Sequence, residues 1–174
     1  DNLITYRKFK KNIKNYQLFE KDFYPEKEVE KPFKIAATIT FYYDKNKLSN
    51  LIKVCESLKL ISNDNEIYIF TNKINSNQEQ ELKNSFKNKA QILMVDPTIN
   101  DRLLPWYHLN LMKKLFIKDD ITHFVYLEDD ILLNKSNFNY WVNSRKILKK
   151  FNLIPGLIRT EVDKNDNQLY AVDF

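Results

Sequence analysis

Short unbroken apolar runs alternate with amphipathic stretches along this chain. Phe33 to Phe41 (Phe-Lys-Ile-Ala-Ala-Thr-Ile-Thr-Phe), Ile67 to Phe70, Ile92 to Val95 and Phe124 to Leu127 are bounded by polar residues and read as buried strands. Leu48, Leu51, Ile52, Cys55 and Leu58 recur at helical spacing and predict a helix from about Lys47 to Leu60. Ser76 to Asn88 reads as a polar helix anchored by Leu82 and Phe86. A further helix carries Leu109, Met112, Leu115 and Phe116, with the last three expected on its core face. Another runs from about Ser136, its expected N-cap, to Lys150. Leu153 to Glu161 reads as a strand entered through Pro155-Gly156, and Val162 to Val172 as a hairpin turning at Lys164 to Asn167. This order predicts an α/β fold: a doubly wound, mainly parallel sheet with helices on both faces, closed by a C-terminal β-hairpin. Residues 1–32, dense in Lys, Asp and Glu, read as an arm and linker, and residues 33–174 as the folded domain.

One strand end carries unusual chemistry. The apolar run Phe124-Val-Tyr-Leu meets Glu128, Asp129 and Asp130, and apolar residues resume with Ile131, Leu132 and Leu133. Three adjacent carboxylates repel one another, and partial burial disfavours their charged forms. A cation relieves both problems, and hard oxygen ligands suit Mg²⁺ or Mn²⁺. In open α/β sheets ligands sit outside the carboxyl ends of the strands. Acids in that place also serve as turn and helix caps, and spacing alone leaves both readings open. Asp119-Asp120, in a polar connection, reads as a solvated loop.

Composition narrows the choice. A chain of 174 residues with 43% hydrophobic and 14% aromatic content can bury a sizeable core. The net charge of +5 suits a sugar nucleotide, an anionic glycan or a phospholipid surface, and equally a protein with none of these partners. There is no basic stripe of the kind that binds nucleic acid. A single cysteine, Cys55, excludes an internal disulfide and a cysteine-cluster zinc site. Gly156 is the sole glycine, so neither a Rossmann glycine fingerprint nor a P-loop can form, and phosphate must be held by metal or side chains. No apolar run is long enough to span a membrane. The start at Asp1, without a secretory pattern, leads us to expect a piece of a larger protein, cytoplasmic or membrane-peripheral.

Leu127-Glu-Asp-Asp-Ile131, followed by Asn137-Phe-Asn-Tyr-Trp141, resembles the acidic metal-site motif of GT-A glycosyltransferases, in its Glu-Asp-Asp variant of Asp-x-Asp. The order of elements is likewise similar to the nucleotide-binding half of that Rossmann-like fold. The resemblance implies transfer of a sugar from a nucleotide-sugar, most often a UDP-sugar, to a hydroxyl of a glycan or lipid-linked acceptor. It implies that Asp130 binds Mn²⁺ or Mg²⁺, that Asp129 assists the metal or holds the ribose, and that Glu128 contacts the nucleotide. Thr40, Phe41 and Tyr42, with Thr71 and Asn72, would line the uridine pocket. Arg102, Lys113 and Lys114 would supply a cation to the diphosphate, although the helical period also places the two lysines toward solvent. An inverting enzyme needs a general base, for which Glu161 and Asp163 are the late candidates, with Arg159 nearby. His108, Phe138 and Trp141 read as structural residues. The rival reading is a non-catalytic GT-A-like binding or assembly module of a larger glycan-synthesis protein. A two-metal nuclease or phosphoryl-transfer site would need a second carboxylate set, and none lies on a comparable strand end.

Overall fold

The computed structural model describes residues 33–72, 74–87, 89–95, 101–117, 120–163, 165 and 167–172. The expected N-terminal arm and the connection at 96–100 lie outside them. The chain divides into two compact units, one spanning Lys31–Lys135 and another that includes Ser136–Phe174.

The first unit holds four strands: β1 (Lys34–Phe41), β2 (Asp64–Asn72), β3 (Gln91–Val95) and β4 (His123–Glu128). They form one parallel sheet in the order β3-β2-β1-β4. Helix α1 (Leu48–Ile61) joins β1 to β2, α2 (Ser76–Ser85) joins β2 to β3, and α3 (His108–Phe116) precedes β4. The first two crossovers step one way across the sheet and the return to β4 steps the other way. Right-handed crossovers then put α1 and α2 on one face and α3 on the opposite face. The predicted α/β architecture is therefore present, with helices on both faces of a parallel sheet.

Side-chain alternation explains why both faces are dry. On the α1 face, Ile35, Ile39, Phe41, Ile69 and Thr71 are completely enclosed, with Leu51 and Leu58 of α1. On the other face Ala36, Tyr68 and Phe70 form a cluster with Leu115 of α3 and Leu104 of the 3-10 segment before it, Asp101–Trp106. Leu111, Tyr107 and Phe124 pack against that cluster. The inward period of this region is thus 104, 107, 111 and 115. Phe116, expected in the core, is instead 76% exposed, because it is turned about 100° around α3 from Leu115, while its ring still meets Phe124 with centroids 5.9 Å apart.

Local polar bonds fix element ends and register. Asn75 and Gln78 form a reciprocal capping box that opens α2. Thr122 donates its backbone N–H to the Lys34 carbonyl at 2.9 Å and accepts the Lys34 N–H on its hydroxyl at 3.1 Å. This clamp ties the start of β4 to the start of β1. Lys34 also pairs with Asp120 and Glu66, and the Tyr68 hydroxyl donates to Glu66 at 2.6 Å.

In the other unit, α4 (Lys135–Leu148) begins one residue before the expected N-cap, Ser136. The chain leaves it through a 3-10 turn, Lys149–Phe151, and the left-handed Asn152, with the Leu153 N–H closing on the Leu148 carbonyl. Residues 153–159 form no strand, contrary to expectation. Pro155 lacks an N–H, and the Leu153 and Pro155 carbonyls already accept from Arg145 Nη1 at 2.9 Å and Trp141 Nε1 at 3.2 Å. Only β5 (Thr160–Val162) and β6 (Leu169–Ala171) pair, as an antiparallel two-stranded sheet of their own. The predicted hairpin is present in this shorter form.

Two neighbouring substitutions test the packing of α3. Leu115→Ala is expected to cost about 3 kcal/mol in urea-induced unfolding, while Phe116→Ala, which loses only the exposed ring contact with Phe124, costs about 1 kcal/mol or less. Comparable losses at both positions would contradict this orientation.

Candidate functional site at the switch point

The sheet order reverses between β1 and β4. This switch point lies between the carboxyl ends of β1 and β4, the place outside which ligands sit in open α/β sheets. Thr40 pairs with Glu128 across the strands, so the end of β1 and the acidic segment lie side by side.

The β1 side is held by its exit loop. The Tyr43 N–H donates to Asn72 Oδ1 at 2.8 Å, lashing the loop to the end of β2. The Tyr43 hydroxyl donates to Glu81 Oε2 at 2.6 Å, and Lys45 approaches the other carboxylate oxygen at 3.4 Å. The Tyr43 bond, helped by Lys45 and opposed by burial, holds the Glu81 carboxyl below its usual range. Asp44 accepts the Asn46 N–H at 2.9 Å and opens a 3-10 turn, Lys45–Lys47, that runs into α1. Lys47 therefore stands just beyond the β1 terminus.

The β4 side ends in a turn. Leu127 is buried on the α1 face, so alternation sends Glu128 to the other face beside Thr40, where it is exposed. The Ile131 N–H returns to the Glu128 carbonyl at 3.2 Å and closes the turn over Asp129 and Asp130. Asp130 is exposed, whereas Asp129 is only 9% exposed. Its Oδ2 is buried without a hydrogen-bond partner among the described residues. Burial raises the Asp129 carboxyl above its ordinary value, Lys47 opposes that shift, and Asp130 and Glu128 reinforce it. A buried carboxylate oxygen lacking a donor is costly in its charged form.

Beneath this edge, the His108 ring stacks on Tyr126 with centroids 4.4 Å apart, and its Nδ1 bonds the Pro105 carbonyl. His108 thus acts structurally, as expected. Burial pushes the Tyr126 hydroxyl up and Thr40 opposes the shift, but among the described residues the buried hydroxyl has no hydrogen-bond partner.

The structure gathers Thr40, Phe41, Tyr42, Asn72, Glu128, Asp129 and Asp130 at one sheet edge. Thr40 and Phe41 are enclosed on opposite faces of β1, and Tyr42 is the member of that trio that is exposed. Asn72 is engaged by Tyr43, so its carbonyl oxygen builds the loop. Lys113 and Lys114 are not brought to the acids. The contacts His108–Tyr126 and Phe116–Phe124 show α3 running antiparallel to β4, which carries both lysines toward the opposite edge on an exposed surface. Lys47 is the lysine that acts electrostatically on Asp129. It escaped sequence reasoning because only the β1–β4 pairing brings it near residue 129. The Arg102 side chain lies outside the described residues. Glu161 and Asp163 belong to the other unit and are occupied locally. Glu161 accepts from Arg159 at 2.6 Å, and Asp163 accepts the Asn165 N–H at 2.7 Å within the hairpin turn.

Among the described residues, no three His, Cys, Asp or Glu side chains are gathered into a protein-only metal cage. Mg²⁺-type sites do not require one, because one or two carboxylates act together with substrate phosphates and water. Asp129 and Asp130 fit a site of that kind. Fold and site together define a parallel α/β domain with an acidic cluster at its switch point. No protein-family model matches the chain, and no curated protein matches it in sequence. Among the described residues no helix is long and apolar enough to cross a membrane.

The raised Asp129 carboxyl has a stability consequence. Folding favours its neutral form, so the ionised group costs stability above the folded-state value, and the cost disappears below the ordinary carboxylate range near pH 4. Asp129→Asn is expected to raise the metal-free melting temperature at pH 7 by about 2 °C. The gain should shrink toward zero in scans taken down through pH 4; a gain independent of pH would refute this origin.

Proposed function

We propose that this chain is the nucleotide-sugar-binding domain of a metal-dependent glycosyltransferase of the GT-A kind. It would transfer a sugar from a UDP-sugar to a hydroxyl of a glycan or lipid-linked acceptor. The observation that carries this reading is the buried, partnerless carboxylate oxygen of Asp129, within an acidic turn beside the end of β1. The resemblance of Leu127–Ile131 to the acidic motif of those enzymes supplies the reaction type.

Asp129 and Asp130 would hold Mn²⁺ or Mg²⁺, which supplies Lewis-acid stabilisation of the charge that builds on the leaving diphosphate. The chain's own residues do the rest. Lys47 neutralises phosphate charge at the mouth of β1, where a glycine-rich loop would otherwise be needed. The Tyr42 ring, just beyond the end of β1, offers an exposed surface for the base. Glu128, exposed beside Thr40, accepts hydroxyl donors of the ribose or sugar. The lash from Tyr43 to Asn72 and Glu81 keeps that wall in place before the ligand arrives.

One observation favours the alternative, a donor-binding or assembly module without catalysis. Glu161 and Asp163 are both committed to local partners, so no residue stands assigned as general base.

A thermal-shift titration separates the possibilities. UDP with Mn²⁺ should stabilise the protein, by about 2.7 kcal/mol at a hundredfold excess over Kd. UDP without metal should do far less, and Asp129→Asn and Asp130→Asn should each abolish the metal-dependent part. Binding without sugar transfer from a panel of UDP-sugars would favour the module. No metal-dependent shift with any nucleoside diphosphate would sink both readings.

A further inference from the structure

The outer side of α3 is apolar as well as its inner side. Leu111 and Leu115 pack into the core cluster. Turned away from them on the same helix, Leu109 is 41% and Phe116 76% exposed, the Phe116 ring meeting Phe124; Trp106, at the end of the preceding 3-10 segment, is 64% exposed and Ile117, just past the helix, 81%. With a turn every 3.6 residues, positions 109, 113 and 116 share one stripe, and 106 and 117 flank it. Lys113 lies within the stripe and Lys114 beside it, both exposed. Four large apolar side chains on a stripe of about two turns exceed the scattered single exposures normal for a protein surface.

The charge around the stripe selects its partner. Lys113 and Lys114 have no acid on α3 to offset them, since the helix reads His-Leu-Asn-Leu-Met-Lys-Lys-Leu-Phe. Asp120, the next described acid along the chain, is paired with Lys34. Lys118 and Asp119 cancel in sequence, and the whole chain carries +5. Tryptophan and aliphatic groups beside lysines suit the boundary of an anionic lipid surface, where the rings and chains enter the headgroup layer and the ammonium groups meet phosphate. A nine-residue helix cannot span a bilayer, so contact is confined to the interface.

We propose that the outer face of α3, through Trp106, Leu109, Phe116 and Ile117 flanked by Lys113 and Lys114, docks the protein reversibly on an anionic phospholipid membrane. This inference is independent of the glycosyltransferase reading, because it uses no residue of the acidic site.

Co-sedimentation of the full chain with vesicles of phosphatidylcholine and phosphatidylglycerol tests it, with pure phosphatidylcholine vesicles as reference. The wild-type protein should sediment with the anionic vesicles, weakly with the neutral ones, and be released by high salt. Phe116→Ser/Ile117→Ser should remove most of the binding, with circular dichroism verifying the fold. Lys113→Ala and Lys114→Ala should each weaken binding roughly fivefold. Residues 1–32 are also lysine-rich, so the difference between wild type and the serine variant is the deciding quantity. Equal sedimentation of the two, or none by either, overturns the proposal. Self-association of the wild type that the serine variant loses, without vesicle binding, would assign the face to a second copy of the chain instead.

Discussion

Everything at the candidate site depends on β4 pairing directly with β1. That pairing reverses the strand order and sets the switch point between the ends of β1 and β4. Without it, Lys47 and Asp129 would belong to remote parts of the chain. The register is set at the far end of the sheet, where Thr122 and Lys34 exchange hydrogen bonds, and parallel pairing carries it to Thr40 and Glu128. A slip of one residue would turn Leu127 outward and Glu128 into the α1-side core, which neither side chain tolerates.

The same pairing creates the strain at Asp129. A turn drawn tight against a buried strand end takes one carboxylate out of water and leaves its neighbours in it. One residue thus carries most of the desolvation penalty, while Glu128 and Asp130 stay exposed. Stability is given up at that position while the carboxyl is ionised. Around it the fold is conservative: a dry core on both faces, a capping box on α2, and a lashed β1 exit loop. Among the described residues Asn65, Tyr126 and Ser144 also bury a polar atom without a partner, but Asp129 is the acid of that group, and its charged form makes the omission most costly.

Much of the fold was legible from hydrophobic period. The four apolar runs became the four strands, because a strand buried on both faces has to be apolar at nearly every position. Helix α1 followed from the spacing of Leu51, Cys55 and Leu58 for the same reason. Errors arose where more than one face carried apolar residues. On α3 both sides are hydrophobic, so periodicity could not choose between Leu111 and Phe116. At residues 153–159 the apolar pattern suggested a strand, but side-chain donors from α4 had already taken its carbonyls.

The candidate site divides in the same way. Glu128, Asp129 and Asp130 stood out because three acids interrupt an apolar strand context, a conflict visible within ten residues of sequence. Local composition also dictated that phosphate could not be held by glycines, and that Tyr42 and Asn72 sit at strand ends. It could not say which of the three acids is desolvated, since burial depends on how the turn is covered. Nor could it choose Lys47 over Lys113, because the distance between a residue on one strand's exit and a residue on another's is set by strand order and helix direction. Those are properties of the assembled sheet, and a linear pattern of polar and apolar positions does not encode them.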